Sequence, residues 1–180
     1  LRKAKGFYDR AVDLLLEDSA WQAAADHDVE HREDDVCAFL GKQKHIVMEG
    51  SGRMDPLDLD EYLDRDGYKA LETCLTRMSP EQVVSSIEQA GLRGRGGAGF
   101  PTGQKWRTVL NQPGSTKYVV MNGDEGDPGA FMDRTLLEAF PHRVLEGIAI
   151  AAYVIGAKAG YLYIRNEYPR AAERTREAIH

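Results

Sequence analysis

The alternation of apolar and polar segments along the chain predicts strands and helices that follow one another. Residues 117–121 and 160–165 are short runs that predict two strands, and the largely apolar residues 141–156 predict a helix between them. A β-α-β unit of this kind pairs its strands in parallel through a right-handed crossover. The pattern therefore predicts an α/β fold class.

The remaining segments are predicted to be mainly helical. Ser79 is a favourable N-cap residue, Pro80 suits the first helical position and Gly91 suits a helix stop, so a helix is predicted over 79–90. The other predicted elements are a short strand over 41–49, a helical pair over 58–76, a helix over 102–111 with Thr102 as its N-cap, and a helix that begins after Pro169. We expect two parts, a helical and acidic N-terminal arm over 1–40 and an α/β domain over 41–180.

Composition and charge exclude several classes of function. The chain has 180 residues, of which 42% are hydrophobic and 29% charged, and its net charge of -6 argues against a general nucleic-acid surface. Its longest apolar run, 148–157, is too short to span a bilayer, and no signal peptide is visible. Cys37 and Cys74 belong to no Cys-x-x-Cys pair and suit a reducing compartment. We therefore expect a cytoplasmic protein without a membrane span.

Three histidines could suggest metal binding or catalysis, but the sequence favours simpler explanations. His27 and His31 lie four residues apart, and the charged residues around them favour a solvated helix face over a metal site. His142 opens the helix predicted over 141–156, where a histidine is more often structural or solvent-facing than catalytic. The sequence therefore predicts no metal ligand and no catalytic side chain.

A glycine loop, residues 91–103, has the composition of an anion-binding loop. Six of its thirteen residues are glycines, which let the backbone approach a ligand closely, and Arg93, Arg95 and Lys105 add positive charge. The helix predicted after the loop would direct its positive end at the anion. Residues 94–99 fit the dinucleotide pattern G-x-G-x-x-G, but that pattern requires a preceding strand, and a helix is predicted there. A flexible linker is the alternative, although linkers favour serine over the Arg, Phe, Lys and Trp found here.

An acidic segment, residues 122–129, directly follows the strand predicted over 117–121. Ligands of open α/β sheets bind beyond the carboxyl ends of the strands, where Asn122, Asp124 and Glu125 could hydrogen-bond the hydroxyl groups of a sugar or polyol. An acidic turn or a weak calcium loop is the alternative. Beside an anion-binding loop, these residues favour a nucleotide-type cofactor.

Residues 91–103, 122–134 and 160–169 occur in an order and spacing that resemble the FMN-binding flavoprotein subunit (51-kDa type) of NADH-oxidising complexes. That family includes subunits of respiratory complex I, NAD-linked hydrogenases and formate dehydrogenases. The resemblance implies a Rossmann-like α/β FMN-binding domain with a helical N-terminal lead-in, of which this chain would be an N-terminal fragment. Residues 41–49 and 59–71 resemble the hydrogenase and formate dehydrogenase branch more than the mitochondrial one.

The resemblance also implies roles for individual residues. Gly94, Arg95, Gly96 and Lys105 would surround the FMN phosphate and the isoalloxazine edge, Asn122, Asp124 and Glu125 would bind the ribityl chain and ring, and Gly97, Ala98 and Phe100 would face the dinucleotide. Phe100 could stack on adenine or belong to the core, and Asp127 could accept a hydrogen bond from a ribose or an amide. In respiratory members Asp127 is commonly Glu, and Thr108 stands where a second aromatic can occur, so the choice between NADH and NADPH stays open.

The function implied by the resemblance is hydride transfer between NAD(P)H and FMN, followed by electron transfer to iron-sulfur clusters of a multisubunit complex. The cofactor supplies this chemistry, and the protein contributes stacking geometry and electrostatics. The clusters would lie downstream of this segment or in iron-sulfur partner subunits. Two alternatives remain: a flavin-free nicotinamide-binding module, which would need a strand before Gly94, and a structural subunit that has lost its cofactor.

Overall fold

The computed structural model describes residues 42, 44–114 and 116–180. The chain divides into two units between Arg53 and Met54. The arm predicted over 1–40, which contains His27, His31 and Cys37, lies outside the described residues.

The short strand predicted over 41–49 is wrong for the residues described there. Residues 42 and 44–49 form turns, a bend and irregular backbone. The side chains of Ile46 and Val47 are 73% and 49% exposed. Because a strand is stable only when it is paired and buries one face, this short apolar run is insufficient to form one.

The second unit, Met54–His180, alternates helices with two strands. Its elements are α1 (Leu59–Asp64), α2 (Lys69–Arg77), α3 (Pro80–Gln89), α4 (Thr102–Leu110), β1 (Tyr118–Gly123), α5 (Met132–Ala139), α6 (Pro141–Ile155), β2 (Ala159–Ile164) and α7 (Pro169–Ile179). The strands pair in parallel, with Tyr118 opposite Ala159 and Gly123 opposite Ile164. The α/β class and the parallel β-α-β unit are therefore confirmed, whereas α5 is an element that the sequence pattern does not predict.

Local sequence determines how the two helices around the glycine loop begin. Ser79 Oγ accepts from the Gln82 N–H at 3.3 Å, and Gln82 Oε1 accepts from the Ser79 N–H at 2.7 Å, which is a capping box. Thr102 is the first residue of α4 and makes no capping bond with its side chain. The prediction of Thr102 as N-cap is wrong, because Pro101 takes the extended conformation of the cap position and the Thr102 N–H donates to the Leu92 carbonyl at 2.9 Å.

Helix α6 is the centre of the packing, since it contacts both strands and the helices α2, α3, α4, α5 and α7. Val84 of α3 and Val154 of α6 are fully buried in one apolar cluster, and Leu137 and Ala171 belong to a second. The sheet is buried on one face only. Its other face carries side chains that are more than half exposed: Tyr118, Val120, Tyr161 and Tyr163.

A buried carboxylate joins the segment of α1 and α2 to α6. Glu146, which is 8% exposed, accepts from the Tyr62 hydroxyl at 2.6 Å and from the backbone N–H groups of Tyr68 and Leu71, each at 3.1 Å. Burial and the hydrogen bond to Glu146 raise the pKa of Tyr62. His142 is also buried, with Nδ1 at 3.1 Å from the Tyr68 hydroxyl, and burial lowers its pKa. Its position in the interior agrees with a structural role.

Candidate cofactor site

The glycine loop lies between two helices, as predicted, and its backbone closes on itself. Arg93 and Pro101 form an antiparallel bridge, and the Gly94 N–H donates to the Phe100 carbonyl at 2.9 Å. The Arg93 guanidinium donates to the Gly99 carbonyl, also at 2.9 Å. The Arg93 guanidinium therefore stabilises the loop by an internal hydrogen bond, and it is less available to a ligand than an unpaired cation.

The tip of the loop leaves open space beside its backbone. A Cβ placed on Gly96, Gly97 or Gly99 would meet no atom of the described residues within 4 Å. Gly97 and Gly99 also have positive φ angles of 98° and 60°, a region that other residues rarely adopt. Packing within the described chain therefore does not explain the glycine at position 96, whereas close approach by a ligand would.

Two of the cations predicted for this site are available to an anion. Arg95 and Lys105 are exposed, and among the described residues neither forms a hydrogen bond or ion pair through its side chain. Arg107, further along α4, instead forms an ion pair with Glu88, with the closest N···O distance 2.6 Å. That hydrogen bond raises the pKa of Arg107 and lowers the pKa of Glu88.

A close helix contact holds the base of the glycine loop. Gly103, in the first turn of α4, is buried against Glu88 of α3, and a Cβ at this position would lie 2.9 Å from the Glu88 backbone nitrogen. Only glycine allows the two helices to approach this closely without displacement. The N-terminus of α4, with its partial positive charge, is thereby held directly behind the loop.

The acidic segment begins at the carboxyl end of β1, where α/β sheets bind ligands. The strand continues to Gly123, two residues further than predicted, so Asn122 belongs to the strand. The Asn122 Oδ1 accepts from the Asp124 N–H at 2.9 Å, which turns the chain as it leaves the sheet. Both side chains are exposed at this turn, and so is Asp127.

Glu125 differs from the other acidic residues because its carboxylate faces the protein. Its Oε1 accepts from the Asp133 N–H at 3.2 Å and its Oε2 from the Arg134 N–H at 3.3 Å. N–H groups in the first turn of a helix have no partner within the helix, and the N-cap residue of α5, Phe131, has no side chain that can accept from them. Glu125 therefore caps α5. Burial and the charge of Glu125 raise the pKa of Asp133. Contact of Glu125 with a cofactor stays a prediction, and it would require the carboxylate to share these donors.

Two residues that the sequence analysis did not assign hold Glu125 from the other side. The Tyr168 hydroxyl lies 3.2 Å from the Glu125 carbonyl and 3.3 Å from both Glu125 Oε2 and the Ala130 carbonyl. The Arg165 guanidinium donates to the same Glu125 carbonyl. Burial and Glu125 raise the pKa of Tyr168, and its hydroxyl acts as a donor to these oxygens. Both residues lie in the segment 160–169, whose signals in the sequence are an apolar run over 160–165 and the resemblance to the family.

The predicted site residues fall into two groups. Ten of the eleven are exposed and Glu125 is half-buried; the exposed ones are Gly94, Arg95, Gly96, Gly97, Ala98, Phe100, Lys105, Asn122, Asp124 and Asp127. Phe100 is 52% exposed and is therefore not a core residue. Within the described part of the chain, no hydrogen bond or ion pair links the glycine loop to the acidic segment. Both regions are nevertheless attached to elements that pack on the same helix, because α4 follows the glycine loop, β1 leads into the acidic segment, and both contact α6.

Residues 42, 44–114 and 116–180 contain no candidate metal centre and no candidate membrane helix. No group of three or more histidine, cysteine or acidic side chains is arranged to hold a metal ion there. None of the helices described above is long and apolar enough to cross a membrane.

Comparison with known proteins identifies relatives over most of the chain. The HndC subunit of the NADP-reducing hydrogenase of Solidesulfovibrio fructosivorans is 50% identical over 138 residues, which are 77% of this chain and 28% of that protein. An NADH-quinone oxidoreductase subunit of Aquifex aeolicus is 50% identical over 121 residues, 67% of this chain and 28% of that protein. The chain thus spans little more than a quarter of the length of these relatives.

A solved structure and a family profile agree with these relatives. The crystal structure of an NAD+-reducing NiFe hydrogenase in the H2-reduced state superposes with a TM-score of 0.58 at 38% identity, over 67% of this chain and 21% of that one. The family profile described as the Nuo51 FMN-binding domain matches residues 87–180, which include the glycine loop, the acidic segment and α7. Since this match covers more than half of the chain, the protein belongs to the family of the Nuo51 FMN-binding domain.

Proposed function

We propose that this chain is the FMN-binding part of a subunit that transfers hydride between NAD(P)H and FMN and passes the electrons to iron-sulfur clusters of a multisubunit oxidoreductase. The names of its relatives, an NADP-reducing hydrogenase subunit and an NADH-quinone oxidoreductase subunit, support this proposal. So does its likeness to an NAD+-reducing hydrogenase. We place the protein in the cytoplasm, since its two cysteines are isolated in the sequence.

The observation that carries the proposal is the open glycine loop with two unpaired cations at the start of a helix. Arg95 and Lys105 are exposed, and no atom of the described residues lies within 4 Å of a Cβ placed on Gly96 or Gly97. A phosphate group fits this arrangement because it gains two charge-assisted contacts, backbone N–H donors and the positive end of α4. The loop therefore fits the FMN phosphate.

The other proposed contacts follow from exposure and chemistry. Asn122 and Asp124, at the carboxyl end of β1, would hydrogen-bond the ribityl chain, and Glu125 would share its carboxylate between the N-terminus of α5 and the flavin ring. Gly97, Ala98 and Phe100 would face the dinucleotide, and Asp127 would accept from its ribose or amide. When FMN is bound, its ring can accept two electrons as a hydride and release them one at a time. The side chains bind and orient, and hydride transfer requires no general base.

In the proposed reaction the electrons leave the flavin through iron-sulfur clusters that are bound outside the described residues. Among the described residues Cys74 is the single cysteine, and it is buried and unpaired, so it does not supply the ligand set that a cluster needs. The proposed clusters therefore belong to iron-sulfur partner subunits or to another part of the protein. The flavin-free alternative is not favoured, because helix α3 rather than a strand precedes Gly94.

Removal of the Lys105 charge tests the proposal. In Lys105→Ala we expect the dissociation constant for FMN in the full-length protein to rise roughly ten- to hundredfold, as a charge-assisted hydrogen bond is worth about 1.5–3 kcal/mol. Lys158→Ala is the matched control, since Lys158 is exposed and lies beside the opposite end of the parallel strands from the acidic segment. Flavin fluorescence titration measures both constants. Equal FMN affinity in the two variants, or a purified protein that binds no FMN, would refute the proposal.

A further inference from the structure

The acidic segment has few bonds of its own. Asn122 turns the chain through its contact with Asp124, and the Ala130 N–H donates to the Asp127 carbonyl at 3.1 Å. The segment is otherwise largely exposed. Because it contains three carboxylates, mutual repulsion also disfavours one compact arrangement. Its conformation therefore depends on contacts from outside the segment.

Those contacts converge on the backbone of Glu125. The Tyr168 hydroxyl and the Arg165 guanidinium both donate to the Glu125 carbonyl. The hydroxyl also lies within 3.3 Å of Glu125 Oε2 and the Ala130 carbonyl, so its single proton is shared among three oxygens on the two ends of the turn. The hydrogen bond to Glu167 and the attraction to Asp124 raise the pKa of Arg165, whose positive charge reduces the repulsion within the segment.

The two donors have contacts of their own within the fold. Tyr168 is 8% exposed, and its ring packs with Leu137 and Ala171 in the second apolar cluster. The Arg165 guanidinium lies over the same ring, 5.3 Å from its centroid, and also pairs with Glu167 at 3.1 Å. Loss of the Tyr168 hydroxyl would therefore leave the ring packed and remove only the polar contacts to the segment.

We propose that Tyr168 and Arg165 are positioning residues, which act through Glu125 to hold the chain beyond β1, and Asp124 in particular, in the arrangement that binds the flavin. The inference rests on the proposed function. A segment that is ordered before binding loses less conformational entropy when the ligand arrives, so its affinity is higher. Tyr168 and Arg165 touch the segment, and we assign them no contact with the cofactor.

The test compares Tyr168→Phe with Tyr153→Phe in the full-length protein. Tyr153 is a matched control, because its hydroxyl also donates to a backbone carbonyl, that of Met78, at 2.6 Å, whereas its ring packs on the apolar cluster of Val84 and Val154 rather than on the cluster that contains Tyr168. We expect the dissociation constant for FMN to rise roughly three- to tenfold in Tyr168→Phe alone, the range given by the loss of one hydrogen bond. The visible circular dichroism of bound FMN, which reports the surroundings of the flavin, should change in the same variant only.

Each outcome is decisive. Unchanged affinity and an unchanged spectrum in Tyr168→Phe, or equal losses in the two Phe variants, would overturn the inference. If Tyr168→Phe does not fold, Arg165→Lys replaces it, since it keeps the positive charge but not the reach of the guanidinium, and the same criteria apply. Lys105→Ala is measured in parallel. Weaker FMN binding in Lys105→Ala with normal binding in Tyr168→Phe removes only the inference, whereas normal binding in Lys105→Ala removes the proposed function.

Discussion

The glycine loop is stabilised mainly by hydrogen bonds within its own backbone, whereas the acidic segment is stabilised by side chains that lie far from it in the sequence. The loop closes through the bridge between Arg93 and Pro101, eight positions apart, and its tip makes no contacts that a Cβ would disturb. The acidic segment is fixed by Tyr168 and Arg165, 43 and 40 positions after Glu125 in the chain.

This difference predicts how each region responds to substitution. Side chains at the tip of the glycine loop are free to contact a ligand, so changes there should affect binding and leave stability nearly unchanged. In the acidic segment Glu125 caps α5 and receives donors from residues 165 and 168, so changes there should affect binding and stability together. Substitutions in the two regions should therefore have distinguishable effects.

The largest effect is expected for Glu125→Ala. Loss of the carboxylate leaves two N–H groups at the start of α5 without a partner, so we expect the free energy of unfolding to fall by about 2 kcal/mol. FMN affinity should fall as well, because the segment loses the contacts of this carboxylate with the N-terminus of α5. Chemical denaturation and flavin titration measure the two effects.

Glu138→Ala is the matched control for this change. Glu138 is on the same helix and pairs with Arg134 at 2.8 Å, but it does not cap the helix. The partly exposed pair is worth up to about 1 kcal/mol, and FMN affinity should not change. If Glu125→Ala were no less stable than Glu138→Ala, the capping role would be wrong and the contrast between the two regions would disappear.

An intermediate effect, confined to binding, is expected for Gly96→Ala. Gly96 has no positive φ, and its Cβ would meet nothing within 4 Å, so the free energy of unfolding should change by less than about 0.5 kcal/mol. If the flavin approaches this backbone closely, the methyl group should weaken FMN binding about tenfold, or about 1.4 kcal/mol. Gly97 is a less suitable position, because its φ of 98° would add strain to any steric effect.

Gly147→Ala provides the control for a glycine replaced in open space. Gly147 is exposed within α6, and its Cβ would also meet nothing within 4 Å. There the alanine should raise the free energy of unfolding by about 0.5–1 kcal/mol through helix propensity and leave FMN binding unchanged. Wild-type FMN affinity in Gly96→Ala would show that no ligand lies close to the tip of the glycine loop.

How far the sequence predicts each region depends on the range of the interactions involved. The capping box of α3 is a contact between Ser79 and Gln82, three residues apart, and the start of this helix is predicted correctly. The parallel β-α-β unit is also predicted, because the two strands and α6 each have a clear apolar pattern. In contrast, Thr102 is misassigned as a cap because its N–H donates to Leu92, a contact that depends on how the loop folds back.

In the candidate site, too, the features set by local sequence are predicted and those set by distant contacts are not. The composition of the glycine loop identifies it as an anion-binding candidate, and the structure leaves Arg95 and Lys105 available. The inward orientation of Glu125 depends on α5, Arg165 and Tyr168, and spacing within a sequence does not show which distant side chains meet. The sequence therefore does not show that Glu125, one of the three acidic residues of this segment, caps a helix.

The smallest effect is expected at Phe100, where the prediction concerns the dinucleotide rather than the flavin. Its ring is 52% exposed, so Phe100→Ala should change the free energy of unfolding by less than about 0.5 kcal/mol. If the ring stacks on the adenine, the Michaelis constant for NADH should rise roughly fivefold, equivalent to about 1 kcal/mol, with FMN content unchanged. Tyr118→Ala is the control, since Tyr118 is equally exposed at 52% and begins β1, away from the acidic segment. Steady-state kinetics with an artificial electron acceptor measures both variants. An equal Michaelis constant in the two would remove Phe100 from the site and leave the glycine loop as a binding site for the flavin phosphate alone.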